Sequence, residues 1–429
     1  MTITRNLLPE AGRACLALAF GLLAPRTVPA ADEAGGARWA WVGAVTPTAA
    51  IVKARFPGDT AEPLLLTPSG VVTLRLAPAR VEPVADGVIA TYVLADLAPA
   101  TVCRYRVGGL EGRFRTFPAG PASFAVAFGS CARTASEHPV FAAIGRREPL
   151  LFLHTGDLHY EDLQATDPGS HLAVLDRVLG ARPQAGLHRA TAFNWIWDDH
   201  DSAAKSPDTP AHRAAALRAY RLAVPHYPHS THTLGHAFTV GRVRFIVTDA
   251  RSGRDRARGT MLGDAQKAWF KAELRAAATS AALMVWVNSV PWIAPERAGA
   301  DHWGGFAAER RELAALIEEL GPGRLCMLSG DAHMLAIDDG RHNRYGPSAR
   351  PSFPVFHAGA LDQHGSVKGG PYSRGTFPGG GQFGLMQVID EGGETIRVVW
   401  TGRNVRDETI VQHQFAVSSL PASTATSPP

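Results

Sequence analysis

The sequence predicts a layered α/β domain that follows a small all-β module. Residues 37–117 contain only short, β-branched segments bounded by proline and glycine, a pattern typical of an antiparallel β-sandwich. After residue 122, apolar strand-like segments alternate with helical stretches at residues 210–222, 262–278 and 306–320. That alternation is typical of sheets covered by helices. With 429 residues, the chain is long enough for both domains.

The first 30 residues have the pattern of a secretory signal peptide. Arg5 and Arg13 precede an apolar run at residues 15–24, and a small-residue cleavage site ends at Ala30. We therefore expect an exported protein that is periplasmic, extracellular or associated with the cell envelope; the alternatives are a lipid anchor, a membrane tether or a wrongly assigned start of the chain. Later segments lack the apolar run of ~18 residues that crosses a bilayer, so the mature chain should have no transmembrane span.

The domain boundaries follow from changes in pattern. Residues 37–117 are similar in size and strand pattern to a fibronectin type III β-sandwich. Cys103 lies in an alternating strand at residues 101–107, which turns it inward, so we expect it in the core. A linker rich in proline and glycine then leads into a catalytic domain at residues 122–416. Residues 417–429 are mostly Ser, Thr, Pro and Ala, which predicts a disordered tail.

Charge and cysteine content exclude several classes of protein. The 43 basic and 39 acidic side chains give a net charge of +4, which is small for this length and argues against a nucleic-acid-binding module. Cys103, Cys131 and Cys326 remain after the predicted signal peptide. Three cysteines cannot form a disulfide framework, so free thiols or a metal ligand are expected.

Polar residues stand at the ends of six apolar strands. In open α/β sheets, ligands bind in the crevice at the carboxyl ends of the strands. One Asp at such a position is often a turn or helix-cap residue, but six coincidences indicate a functional site. Five of these strands supply Cys131, Asp157, Asp199, His200, Asn288, Asp331 and His333, and the sixth runs into Thr248 and Asp249.

Part of this set is suited to a transition metal. A carboxylate and a phenolate spaced as Asp157 and Tyr160 can bind one cation, and a phenolate suits ferric ion. His333 and the thiolate of Cys131 would complete a mixed oxygen, nitrogen and sulfur set that is typical of a transition metal. The alternative for Cys131 is an inert buried thiol. His159, between Asp157 and Tyr160, is expected to be a loop residue that faces solvent, with a substrate contact as the alternative.

The other part is suited to a harder cation. Asp199, Asn288 and Asp331 offer only oxygen atoms, which favours calcium or magnesium, and Asp157 could bridge the two ions. Paired cations ~3.5–4 Å apart can polarise a phosphoryl group and deprotonate a water at neutral pH. His200, next to Asp199, could then act as a general acid or stabilise charge.

Several motifs together carry a resemblance to a known family. The three most specific motifs are Gly156-Asp157-Leu158-His159-Tyr160, Trp197-Asp198-Asp199-His200-Asp201 and Ser329-Gly330-Asp331-Ala332-His333. Further motifs are Gly129-Ser130-Cys131, Asp249-Ala250-Arg251 and the segment from Asp301 to Arg310. Together they resemble the motifs of the alkaline phosphatase D (PhoD-like) family of calcineurin-like metallophosphoesterases, from about residue 40 to residue 400. The chain departs from that family in lacking its twin-arginine export motif.

The resemblance implies a fold, an activity and two sets of ligands. The fold is a four-layer α/β/β/α domain, and the activity is phosphoester hydrolysis with ferric iron and calcium. Magnesium or manganese is the alternative for the second metal. The implied iron ligands are Cys131, Asp157, Tyr160 and His333. The implied ligands of the second metal are Asp157, Asp199, Asn288 and Asp331.

We therefore expect an exported metallophosphatase that acts on a phosphoester substrate. A metal-bound hydroxide would attack the phosphoryl group, with Asp157, Asp199 and His200 in catalytic roles. The alternatives are a phosphodiesterase or phospholipase D-like hydrolase and, third, a non-catalytic surface binding protein. Arg133 and Arg251 could bind substrate phosphate through the planar guanidinium fork, or each could hold a loop by an ion pair.

Overall fold

A computed structural model describes residues 36–70, 72–202, 209–230 and 232–418. The predicted signal peptide and residues 419–429 of the predicted tail lie outside these ranges. Within them, no helix is both long enough and apolar enough to cross a bilayer.

The N-terminal part of the described chain consists of eight strands. They are β1 (Trp39–Gly43), β2 (Ala50–Phe56), β3 (Leu64–Pro68), β4 (Leu74–Leu76), β5 (Arg80–Val84), β6 (Gly87–Leu94), β7 (Val102–Val107) and β8 (Leu110–Arg115). Side chains along β7 are alternately exposed and buried, as the sequence pattern predicts. Cys103 is fully buried, so its predicted place in the core is confirmed.

The rest of the chain alternates strands with helices. The predicted helices at residues 210–222, 262–278 and 306–320 are present with ends shifted by one or two residues. In chain order the elements are β9 (Phe124–Gly129), α1 (Val140–Arg146), β10 (Leu151–His154), α2 (Pro168–Gly180), α3 (Arg182–Ala190), β11 (Ala192–Trp195), α4 (Pro210–Ala223), β12 (His236–Val240), β13 (Val243–Thr248), α5 (Gly263–Ser280), β14 (Leu283–Asn288), α6 (Ala307–Leu320), β15 (Leu325–Ser329), β16 (Met334–Asp338), β17 (Val355–Ala358), β18 (Thr376–Pro378), β19 (Gln382–Ile389), β20 (Thr395–Asn404) and β21 (Thr409–Ser418).

The strands form three sheets. A ten-stranded sheet has the order β21-β20-β19-β9-β10-β11-β1-β2-β6-β5, and a seven-stranded sheet has the order β12-β13-β14-β15-β17-β16-β18. The remaining strands form a four-stranded sheet in the order β4-β3-β7-β8. Strands β9, β10 and β11 are parallel to one another, as are β13, β14, β15 and β17. Each large sheet therefore has one edge where several carboxyl ends meet.

The two large sheets pack face to face, with helices on both outer sides. Phe128 of β9 contacts Phe356 of β17 at a ring-centroid distance of 4.8 Å, and both belong to one buried cluster. Helices α1 to α4 pack against the ten-stranded sheet. Trp286 of β14 packs on Phe270 of α5 in a second cluster, which also contains the apolar face of α6. The predicted four-layer α/β/β/α architecture is confirmed, and the strand-rich N-terminal region fits a β-sandwich.

Candidate metal centre

Three of the predicted ligands have an unusual backbone conformation. Cys131, Asp157 and Asp331 have φ angles of 65°, 57° and 74°, in the left-handed region that side chains other than glycine rarely adopt. Cys131 and Asp331 each follow the last residue of their strand by two residues, and Asp157 follows by three. Residues held in such conformations cluster at functional sites, where the surrounding structure enforces them.

Gly156 allows two of these loops to approach closely. It has a φ angle of +110°, and a Cβ atom at this position would lie 2.5 Å from the Cβ of Asp198. A side chain larger than hydrogen would therefore push the loop after β10 away from the loop after β11. The glycine of the predicted motif thus brings Asp157 next to Asp198 and Asp199 of the second motif.

The four residues expected to bind the first metal lie in one contact cluster. The Tyr160 hydroxyl donates to Asp157 Oδ2 at 3.0 Å and lies 3.1 Å from His333 Nε2. Cys131 Sγ lies 3.5 Å from the same Asp157 oxygen. The other ring nitrogen, His333 Nδ1, lies 2.6 Å from the carbonyl oxygen of His364. That contact fixes Nδ1 as the proton donor and leaves Nε2 as the nitrogen that can bind a metal.

A second group of ligand atoms adjoins the first. Asp157, Asp199 and His200 each offer an atom within 4.8 Å of the others, and so do Asp198, Asp199 and Asp331. Asp198 Oδ2 and Asp331 Oδ2 are buried, and neither has a hydrogen-bond partner among the described residues. Because a buried acceptor without a partner is costly, these two oxygen atoms fit a bound cation. The residues present therefore suit a centre with two metal ions.

The electrostatics of the cluster also favour cations. Burial, together with the neighbouring carboxylates of Asp199 and Asp198, raises the pKa of Asp157 well above its usual range. Burial likewise raises the pKa of Asp198 to about 6 and raises the pKa of Asp331. Several carboxylates at one buried place can ionise together only if positive charge compensates them. Arg251 and Lys368 supply part of that charge, and metal ions would supply the rest.

Two members of the site were not predicted from the sequence. Asp198 precedes Asp199 in the second motif, but nothing in the sequence separated it from an ordinary turn residue. Lys368 lies in the segment between β17 and β18, and its Nζ is 2.5 Å from Asp331 Oδ1. It is one of only five lysines in an arginine-rich chain, and that scarcity was the available signal.

Two other carboxylates, those of Asp201 and Asp249, accept hydrogen bonds from the ligand-bearing loops instead of facing the cluster. Asp201 accepts hydrogen bonds from the backbone N–H groups of Asp157 and Leu158 at 2.7 and 2.8 Å. Asp249 accepts from the Trp197 indole at 2.9 Å. Both are buried, and they hold the ligand-bearing loops in place.

Asn288 stands at the predicted edge, but its amide already has protein partners. Its side-chain nitrogen donates to Thr248 Oγ1 at 2.8 Å. Its oxygen accepts from the Trp303 indole at 3.1 Å and from the backbone N–H of Val290 at 3.2 Å. The oxygen would have to leave these donors to bind a cation, so the predicted role of Asn288 stays a prediction.

The two predicted substrate arginines differ in position. Arg251 is buried and donates to the carboxylates of Asp198, Asp199 and Asp301. This geometry favours the alternative role of holding loops by ion pairs. The side chain of Arg133 is 53% exposed and 3.9 Å from Asp362, so it can reach a substrate at the rim.

His159 is buried, so the prediction that it faces solvent is wrong. Only 3% of the residue is exposed, because Asp201 binds the backbone on which it lies and draws the loop inward. His200, in contrast, stays at the surface of the cluster with 14% of its side chain exposed. Its Nδ1 lies 2.7 Å from Asp162 Oδ1, and its ring centroid is 3.9 Å from that of Tyr160.

The four-layer fold and this cluster of Asp, His, Tyr and Cys at the strand ends define a metallophosphoesterase. The family model described as PhoD-like phosphatase matches residues 124–370. The chain belongs to the PhoD-like phosphatase family, and it is a metal-dependent phosphoester hydrolase. The resemblance expected from the motifs is confirmed, and the alternative of a non-catalytic binding protein is set aside.

Solved structures show the same fold. One described as the structure of PhoD is 16% identical, with a TM-score of 0.68, and the match covers 92% of this chain and 95% of that one. Purple acid phosphatase PPD1 from yellow lupin (Lupinus luteus) seeds is 14% identical, with a TM-score of 0.64, and the match covers 92% of this chain and 78% of that one. A comparison with curated protein sequences finds no significant match.

Proposed function

We propose that the protein is an exported phosphoesterase that uses iron and calcium at this centre. The observation that carries the proposal is the single contact cluster formed by Cys131, Asp157, Tyr160 and His333 beside a group of buried aspartates. Sulfur, phenol and imidazole ligands suit ferric iron, and the oxygen-only group suits calcium, with magnesium or manganese as alternatives. Export rests on the pattern of the first 30 residues.

Each ligand set has a definite composition in this proposal. Asp157, Asp199 and Asp331 would hold the second metal, and Asp157 would also join Cys131, Tyr160 and His333 at the first. Asn288 would join the second set only if its oxygen left the Trp303 indole and the Val290 N–H group. We add Asp198 to the second set because its buried Oδ2 lacks a partner among the described residues. When bound, the two cations lower the pKa of a water nucleophile and neutralise charge on the phosphoryl oxygens.

The other residues of the site orient the substrate and move a proton. His200 is held by Asp162 at Nδ1, which orients the ring, and we assign to its Nε2 the proton that the leaving-group oxygen takes up. Arg133 lies at the rim with its charge exposed, where the guanidinium fork suits a phosphoryl oxygen. Asp201 keeps the Asp157 loop in place through backbone hydrogen bonds.

The test compares metal content and turnover in two variants. His200→Ala should keep both metals and lose roughly 10²–10⁴ in turnover, because a proton donor or charge stabiliser is removed from the transition state. Asp199→Ala should lose the second metal together with activity. Elemental analysis beside turnover on a panel of monoesters and diesters measures both effects and reveals the preferred ester.

The exposed His232 provides the matched control. His232→Ala should retain its metals and full activity. If His200→Ala lost metal while Asp199→Ala retained it, the proposed roles would be reversed and the assignment of the site would be wrong. If zinc alone restored full activity after complete removal of iron, the metal assignment would be wrong while the site stood.

A further inference from the structure

The outer face of the four-stranded sheet carries five exposed arginines. Inward positions on these strands are apolar and buried, including Cys103, Tyr105 and Phe114. The alternate positions point outward, and five of them are arginine, all exposed to solvent. We call this surface the arginine face; its residues are Arg75, Arg104, Arg106, Arg113 and Arg115.

The strand register places these arginines beside one another. Arg104 of β7 stands directly opposite Arg113 of β8. Leu65 of β3 pairs with Arg75 on one side and with Arg106 on the other. Like charges directly opposite each other destabilise a sheet. The pairing of Arg104 with Arg113 therefore opposes folding stability, which indicates that it serves another purpose.

Acidic residues balance only part of this charge. Glu111, which stands opposite Arg106, is the one acidic residue on the four strands, and Arg113 is 2.8 Å from Glu148 of a neighbouring loop. Among the described residues, the other four arginines have no carboxylate within 4.0 Å. The five arginines and Glu111 give these four strands a net charge of +4, which equals the net charge of the whole chain. The general abundance of arginine in the chain does not explain why these arginines share one face.

We propose that the arginine face docks on the phosphate groups of an anionic lipid bilayer. Guanidinium groups bind phosphate through paired hydrogen bonds, and one face of the sheet presents several of them side by side to a surface of headgroups. Val102, on the same face, is 37% exposed, and Leu65, between Arg75 and Arg106 on that face, is partly exposed. Apolar side chains between basic ones are typical of surfaces that rest at the headgroup boundary.

The aromatic residues argue against a nucleic acid as the partner. Proteins that bind single strands stack bases on exposed aromatic rings. On these four strands the aromatic residues are Tyr105 and Phe114, and both are buried on the inner side. The face thus offers charge without stacking, as a phosphate surface requires.

The test is sedimentation of the purified protein with lipid vesicles. Vesicles that contain phosphatidylglycerol should carry the protein down, and vesicles of phosphatidylcholine alone should not. A basic side chain near an anionic surface contributes about fivefold to binding, so Arg104→Gln/Arg106→Gln should lower binding roughly 25-fold. Added salt should weaken the interaction. Turnover on a small soluble ester should stay unchanged, because these residues lie outside the catalytic site.

A matched variant separates the face from overall charge. Arg350 and Arg397 are exposed elsewhere, and Arg350→Gln/Arg397→Gln changes the net charge equally. It should bind vesicles as the wild type does. Equal loss in both double variants, or equal binding to neutral vesicles, would overturn the proposal. So would binding of heparin through the arginine face without binding of anionic vesicles, since the partner would then be a soluble polyanion.

Discussion

Lys368 binds one oxygen of Asp331 and leaves the other available to a metal. Its ammonium group is 2.5 Å from Asp331 Oδ1, while Oδ2 of the same carboxylate is buried and has no hydrogen-bond partner among the described residues. One oxygen is thus held in place and the other is available to a cation. Groups that hold a ligand in this way contribute strongly to metal binding, because they fix its orientation. We infer that Lys368 is a positioning residue for the second metal.

Lys368→Met should weaken calcium binding by about 10-fold or more while iron is retained. The variant leaves Asp331 Oδ1 without its donor. Loss of a positive charge would by itself favour the cation, but the Lys368 side chain is 40% exposed, so solvent screens that effect. Calcium titration by calorimetry measures the change. Lys368→Arg should recover part of the affinity, and Lys271→Met, at a surface ion pair, should not alter it. Unchanged calcium affinity in Lys368→Met would show that Lys368 does not orient Asp331.

At this scale, the sequence could predict residues whose position follows from a strand end. Cys131, Asp157 and Asp331 come directly after apolar strands, and the structure brings them together. Lys368 could not be predicted, because it reaches the site from a long segment with little regular structure. The hydrogen-bond partners of the Asn288 amide could not be predicted either, because they depend on how Trp303 packs.

At the scale of elements, Lys53 links strand β2 to helix α4. The side chain is 5% exposed, and Nζ donates to the carbonyl oxygens of Arg221 and Leu222 at 2.6 and 2.8 Å. These carbonyls belong to the last turn of α4, where the helix leaves acceptors unpaired and favours a cation. Burial nevertheless lowers the pKa of Lys53 from 10.5 to about 8.

The low pKa of Lys53 predicts a dependence of stability on pH. Between pH 8 and 10.5 the unfolded chain binds this proton more tightly than the folded one, so the contribution of Lys53 to stability rises as pH rises. We expect a pH-dependent difference between the free energies of unfolding of the wild type and Lys53→Met. This difference, wild type minus variant, should increase by up to about 3 kcal/mol across this range. Denaturant unfolding at several pH values measures it. Buried thiols and phenols are common to both proteins, so they cancel in the difference. A flat difference for Lys53→Met would contradict the prediction.

Helices differ in how clearly the sequence pattern predicts them. Helix α6 buries Leu313, Leu316 and Ile317 at helical spacing, so its range was predicted within one residue. Helix α3 buries Gln184 and His188 together with Leu187. Because polar residues occupy its inner side, no apolar stripe marks it in the sequence, and it was not predicted as a separate element.

At the scale of the whole molecule, the N-terminal strands continue the catalytic sheet. Strand β1 pairs with β11 through Gly43 and Phe193. The Trp41 indole donates to the carbonyl oxygen of Ala223 at 2.7 Å, and the Tyr227 hydroxyl donates to that of Val45 at 2.6 Å. The sequence predicted a module at residues 37–117 from its local strand pattern. It could not predict a pairing between strands about 150 residues apart, because such a pairing produces no pattern within either strand. The domain boundaries themselves stay a prediction.

Gly43 makes this junction testable. A Cβ atom at this position would lie 2.5 Å from the carbonyl oxygen of Phe193 and 2.6 Å from that of Pro225. Backbone atoms cannot move aside as the end of a side chain can, so Gly43→Ala should cost about 1–3 kcal/mol, the usual range for overpacking. Gly120→Ala is the control, since no atom lies within 4 Å of the added Cβ.

Because the junction joins the two parts, calorimetry of the wild type should show one cooperative transition, with the calorimetric and van't Hoff enthalpies equal. Gly43→Ala should lower its midpoint while Gly120→Ala leaves it in place. Two well-separated transitions in the wild type would show instead that the strands before residue 118 fold as an independent domain.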